Sequence, residues 1–252
     1  MPTIDELSEH YANYLLPVLP KGPGVCPVCH TSIVGNWPTC ISCRSARDSL
    51  PFLADAIGFV SLAVKGQQLA HELAFYKSGY DWSLRYRTIV SLTAVLWRWL
   101  KLHEECVARS SGVEAFQIVT TIPSTRNREN HPLPIMVGEK IGATLGRYEQ
   151  LLDPRPGVPD NREYLPDRFL VSRELCSSPS VLIIDDTFTR GSRVQSAATA
   201  LRNAGAGPVG VVCIGRHFAL NQRDEFGAAA KSYFEQSRTL GWDWDRCCLC
   251  DT

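Results

Sequence analysis

The chain has 252 residues, 44% of them hydrophobic and 21% charged, with 26 basic and 26 acidic side chains that cancel to a formal net charge of zero. This length suits one α/β domain with a small appendage, and the balanced charge excludes a chain-wide electrostatic footprint for nucleic acid, leaving Arg44, Arg47, Arg85 and Arg87 as candidates for a local patch. No apolar run reaches the roughly 20 residues of a membrane helix, and the acidic start around Asp5 and Glu6, with no apolar export segment after it, predicts a cytoplasmic protein without a membrane partner.

In chain order, residues 5–19 predict a short helix ending near Pro17 and Pro20, so that 1–24 forms an N-terminal helical segment closed by Lys21-Gly22-Pro23-Gly24. Two C-x-x-C knuckles follow, Cys26-Pro27-Val28-Cys29 and Cys40-Ile41-Ser42-Cys43. Four soft ligands in this spacing predict a closed, tetrahedral, structural Zn²⁺ site in a module over 25–47, where the metal replaces a hydrophobic core. Such a module is architectural or offers a docking surface for a nucleic acid or protein partner. Cys29-His30 also completes a c-type haem pattern, which the second knuckle and the missing export signal argue against.

The remainder, 48–252, alternates strand and helix signals. Residues 57–64 form an apolar run of strand length, 67–77 and 84–107 carry apolar positions at helical spacing, 115–122 are β-branched and apolar, and 133–145 return to a helical pattern. The Pro- and charge-rich stretch 153–167 predicts a long surface loop. Val181-Leu182-Ile183-Ile184 then reads as a buried strand, 192–203 as a helix stopped by Gly205, and 209–215 as another strand. The alternation predicts an α/β fold, a mostly parallel sheet with helices on both faces. Cys106, Cys176 and Cys213 sit in apolar contexts and read as small core residues, while Cys247, Cys248 and Cys250, behind Trp242 and Trp244, read as tail thiols, with metal binding as the alternative.

The chemistry concentrates at 181–193. An apolar strand ending in Asp185 and Asp186 runs through Thr187, Phe188, Thr189, Arg190 and Gly191 into a helix beginning with Ser192 and Arg193. Ligands of open α/β sheets bind at this edge. Backbone N–H groups and hydroxyls there favour phosphate, the arginines add charge, and the carboxylates suit sugar hydroxyls or Mg²⁺.

This segment resembles the signature of the type I phosphoribosyltransferases. The resemblance implies that Asp185 and Asp186 face the ribose hydroxyls of phosphoribosyl pyrophosphate while 189–193 wrap its 5′-phosphate, although Arg190 and Arg193 stand where that family usually has Thr. Across about 25–217 the chain looks most like the ComF-like branch, which carries a zinc motif before the transferase domain. Leu73 to Gly79 is similar to its Lys-x-x-Gly segment, Val119 to Pro123 takes the place of its Val-Pro-x-Pro strand end, and 168–171 and 214–216 have counterparts. The Arg-rich stretch of that branch differs here at 124–133, where Ser124, Thr125 and Arg126 would form the pyrophosphate loop and Arg126 with Arg128 would stabilise the leaving group. The implied activity is transfer of phosphoribose to a nitrogen nucleophile with Mg²⁺. Thr189 stands where hypoxanthine-guanine-type relatives have an assisting Asp, which disfavours 6-oxopurine salvage. The alternative is a noncatalytic sensor of phosphoribosyl pyrophosphate or a nucleotide, or an accessory factor in DNA uptake.

Overall fold

The structure is a computed structural model that describes residues 3–124, 131–159, 161–221 and 224–250. Four parallel strands make the central sheet: β1 (Ala56–Val64), β2 (Ile118–Thr121), β5 (Val181–Phe188) and β6 (Val209–Phe218), in the spatial order β1-β6-β5-β2. A parallel sheet is covered on both faces, and the strand residues divide accordingly. Val181, Ile183, Val209 and Val211 enter one core layer, with α6 (Ser192–Asn203). Leu182, Ile184, Val212 and Ile214 enter the other, against α3 (Gln68–Ser78) and α4 (Trp82–Ser110). The continuous apolar runs therefore mark strands buried on both sides.

The sheet positions the site through unequal pairing of β5. β2 follows β5 only from Val181 to Ile184, whereas β6 follows it to Phe188, including Asp185 opposite Cys213. Pairing to β6 carries the strand through Asp185 and Asp186, past the predicted end at Ile184. Beyond Ile184 the β2 side of the strand opens onto the cleft.

Other elements differ from expectation. At the start, α1 (Ile4–Glu9) is short and held by a capping box between Thr3 and Glu6, after which a 3₁₀ turn at His10–Asn13 precedes extended chain. The helix expected at 133–145 is one turn, α5 (Pro132–Ile135), that widens into a π turn over Met136–Lys140. Thr144 Oγ1 donates to the carbonyls of Val137 and Ile141 and closes it. The stretch expected as one long loop starts and ends in a small antiparallel pair, β3 (Leu152–Pro154) with β4 (Phe169–Val171). A helix that apolar spacing did not mark, α7 (Asp224–Leu240), follows β6.

The four-cysteine segment is packed into the main core. Cys26, Cys29, Cys40 and Cys43 are buried in the same layer as Ile57, Phe59 and Ile183. From α7, Tyr233 donates its hydroxyl to His30 O at 2.7 Å and accepts from Leu19 N–H at 2.9 Å, and Ser237 donates to Pro17 O. Among the described residues no helix is long and apolar enough to cross a membrane.

Candidate functional site

A cleft of about 840 Å³ lies at the carboxyl edge of β5. Its lining contains Asp185, Asp186, Thr187, Phe188, Thr189, Arg190, Gly191, Ser192 and Arg193, so the structure gathers the whole predicted segment around one cavity. Ser124 lines it too, whereas Thr125, Arg126 and Arg128 lie outside the described residues. The sequence reading missed Lys65, His71, His131, Arg162 and His217, which complete the walls. Lys65, Lys77, Arg162, Arg190 and Arg193 face two carboxylates, an excess of cations that suits a polyanionic ligand.

The turn into α6 depends on Gly191. Its φ of 83° lies in the left-handed region, and a β-carbon there would come within 2.3 Å of the Phe188 ring. As the helix N-cap it offers no side chain, so the first-turn N–H groups of α6 lack a side-chain cap. Ser192 is buried at this turn. Arg193, part of the cleft lining, also donates from Nη2 to Pro123 O at 2.5 Å and ties the start of α6 to the segment after β2. Thr189 and Arg190 are exposed at the rim.

The two acids have different surroundings. Asp186 is 5% exposed and fully engaged: Tyr76 Oη donates to Oδ2 at 2.5 Å, Lys77 Nζ to Oδ1 at 2.6 Å, and His131 Nε2 stands 3.5 Å from Oδ2. Burial alone would raise its pKa, but hydrogen bonds from His131, Lys77 and Tyr76 together with the Lys77 charge hold it below the usual carboxylate range. Asp185 is half-buried, and its Oδ1 accepts from the neighbouring Asp186 N–H at 2.9 Å. Burial, then the Asp186 charge, push its carboxyl up to about 6. Asp185 is thus the acid available to a ligand, and Asp186 the anchor that fixes Lys77 and Tyr76 beneath the cleft. Tyr76, fully buried on α3, was not singled out from sequence; only its helical spacing beside Lys77 marked it.

The cysteine segment forms a second centre. The sulfurs of Cys26, Cys29, Cys40 and Cys43 lie within 4.8 Å of one another, with Cys29 and Cys40 at 3.5 Å, and the four could hold a metal ion such as zinc. His30 is directed elsewhere, its Nδ1 3.0 Å from Leu19 O. Two side chains couple this centre to the loop between β5 and α6. Arg216, 4% exposed on β6, donates to Cys29 O at 2.9 Å, Thr189 O at 2.9 Å and Phe188 O at 3.2 Å, with Nη2 3.6 Å from Cys29 Sγ. Tyr164 places its hydroxyl 2.8 Å from both Ser42 O, on α2 (Ile41–Ser49), and Arg190 O.

Of the remaining cysteines, Cys213 is a buried core residue as expected, but Cys176 is exposed, in a loop beside the positive-φ residues Ser177 and Ser178. Cys106, Cys247 and Cys250 are neither core residues nor separate tail thiols: they meet around His103. Of the arginines proposed as a basic patch, Arg44 stacks 3.8 Å over Trp37 and Arg85 donates to Tyr76 O, while Arg47 and Arg87 are exposed. In comparisons with known proteins, the chain matches no family model and no curated protein.

Proposed function

We propose that the cleft binds phosphoribosyl pyrophosphate and transfers its phosphoribosyl group to a nitrogen nucleophile, on a type I phosphoribosyltransferase fold with Zn²⁺ at Cys26, Cys29, Cys40 and Cys43. One observation carries the reading: a half-buried Asp185 and the uncapped start of α6 open into the same cation-walled cavity. A carboxylate accepts hydrogen bonds from sugar hydroxyls, and helix N–H groups accept a phosphate, so this pairing matches a phosphorylated sugar better than either half alone. The sulfur-only donor set favours zinc over harder cations.

Asp185 would also be the ligand for Mg²⁺, directly or through water, since the Asp186 oxygens are held by protein donors. Bound there, Mg²⁺ would offset the charge of the pyrophosphate. The bond from C1 to the pyrophosphate oxygen breaks, its electron pair leaving with pyrophosphate, and the nitrogen of the acceptor forms the new bond. Thr189 supplies no carboxylate for the acceptor's proton, so the acceptor is a free amine or a nitrogen already deprotonated. Release of pyrophosphate from phosphoribosyl pyrophosphate with a panel of amines and anionic bases tests the transfer. Turnover with at least one acceptor is expected. Binding without turnover would favour a noncatalytic sensor, a reading supported by the complete engagement of Asp186.

Affinity should depend on pH through Asp185. Because its carboxyl titrates near about 6, binding to Mg²⁺ and ribose is expected to be level above that value and to weaken roughly tenfold per unit below it. The ligand's own phosphates also titrate, so Asp185→Asn is the control, and the difference between the two profiles should vanish at low pH. For stability the sign is opposite. A raised carboxyl holds its proton longer in the native state than in the unfolded chain, so its contribution is complete below about 4 and is lost as pH rises through about 6. Parallel profiles for wild type and variant would remove Asp185 from the binding site.

A further inference from the structure

We propose that His103, Cys106, Cys247 and Cys250 form a second metal centre, a Cys₃His site for Zn²⁺ that fastens the segment 241–250 onto α4. His103 and Cys106 stand three residues apart near the end of α4, a spacing that puts them on one face of a helix. Cys247-Cys248-Leu249-Cys250 is a C-x-x-C turn, closed by Cys250 N–H to Cys247 O at 3.2 Å. The two pairs converge: all four donor atoms lie within 4.8 Å of one another.

The distances are those of a tetrahedral ligand set. Zinc bonds of about 2.3 Å to sulfur and about 2.0 Å to nitrogen place neighbouring donors roughly 3.5–3.8 Å apart. Here Cys250 Sγ is 3.3 Å from Cys247 Sγ, 3.6 Å from Cys106 Sγ and 3.5 Å from His103 Nδ1, and Cys106 Sγ is 3.9 Å from His103 Nδ1. The surroundings prepare each donor. His103 Nε2 is 2.8 Å from Trp244 O, an acceptor only, so Nε2 carries the proton and Nδ1 turns its lone pair to the sulfurs. Leu249 N–H points at Cys247 Sγ at 3.4 Å and Cys247 N–H at Cys250 Sγ at 3.3 Å, the backbone-to-sulfur contacts that stabilise thiolates in a knuckle.

Cys248, out of phase with the other two, is buried in the core and takes no part. Leu249 reaches β1, 3.6 Å from where a side chain at Gly58 would begin, and Trp244 packs under the Arg98 guanidinium. The centre is of the closed, structural kind: four protein donors, no open position, and a short segment that has little core of its own.

Metal analysis of the full chain, purified reduced, tests this. Wild type is expected to carry two zinc ions per chain, and Cys247→Ser/Cys250→Ser to carry one while keeping the wild-type circular dichroism. One zinc in both proteins would overturn the proposal, as would a disulfide between two of Cys106, Cys247 and Cys250 found by peptide mapping of the chain purified without reductant. Should the double variant fail to fold, X-ray absorption on cobalt-substituted wild type decides. An imidazole nitrogen shell beside sulfur is expected, since the other cluster contributes sulfur alone, and a sulfur-only spectrum would refute the Cys₃His centre. Neither arm depends on what the cleft binds.

Discussion

Replacing Cys26 and Cys29 by serine is expected to abolish binding in the cleft, although neither residue lines it. Removing two of four donors removes the metal, whose apparent binding free energy in structural zinc sites is about 10–16 kcal/mol and is in effect folding free energy for such a segment. The loss reaches the loop between β5 and α6 through Arg216. This guanidinium is buried, its sulfur neighbour is Cys29 of the cysteine centre, and the carbonyls that it holds besides Cys29 belong to Phe188, Thr189 and His217. A buried charge stripped of its partner costs about 3–5 kcal/mol, enough in a protein of this size to lower the melting temperature on the order of 10 °C. Arg216→Lys separates the two roles. Lysine keeps the charge but not the planar fork that reaches four carbonyls, so this variant should retain its metal and still lose tenfold or more in affinity for the cleft ligand. Melting, metal content and calorimetry on the three proteins check this. A serine variant that melts and binds as wild type would show that the cysteine centre and the loop are uncoupled.

Asparagine substitutions at the two acids are expected to fail in different ways. Asp186→Asn should destabilise the fold by about 2–4 kcal/mol. The change removes the charge that Lys77 and Tyr76 share, and the cost falls somewhat below that of a fully buried pair because Lys77 is 22% exposed. Asp185→Asn should leave the melting temperature near wild type at neutral pH, or raise it slightly, because it removes a desolvated carboxylate that carries no ion pair of its own. Its effect falls on the ligand. Losing charge-assisted hydrogen bonds to ribose costs about 1.5–3 kcal/mol, a tenfold to hundredfold fall in affinity. Thermal melts with calorimetry distinguish the pair, and equal stability losses would contradict the division between an anchoring and a ligand-facing acid.

Much of this architecture was legible because burial on both faces leaves a plain signature. Val181 to Ile184 and Val209 to Ile214 are continuous apolar runs, and α6 begins and ends where Gly191 and Gly205 allow. The glycine turn into α6, the acid pair and the first four cysteines were likewise visible as local patterns. What escaped was non-local or lacked an apolar stripe. The buried face of α7 carries Gly227, Ala230, Tyr233 and Ser237, small or polar residues at helical spacing that periodicity of hydrophobicity does not detect. Tyr76 and His131 meet Asp186 from far along the chain, and nothing near them in sequence indicates an acid partner. The cluster at His103 joins a pair on a helix to a pair about 140 residues later; each half reads as ordinary until the fold brings them together. The contact of Arg193 with Pro123 O, which braces α6 against the segment after β2, is likewise a meeting across 70 residues that no local pattern marks.

The central claim is that the cleft at the end of β5 receives phosphoribosyl pyrophosphate through Asp185 and the start of α6. Titration calorimetry of the wild-type chain with phosphoribosyl pyrophosphate and Mg²⁺, beside Asp185→Asn, tests it most directly. The account predicts saturable binding of one ligand per chain that requires Mg²⁺ and is weakened tenfold or more in the variant. No heat of binding by a folded, metal-replete wild-type chain, or binding that Asp185→Asn leaves unchanged, would contradict it.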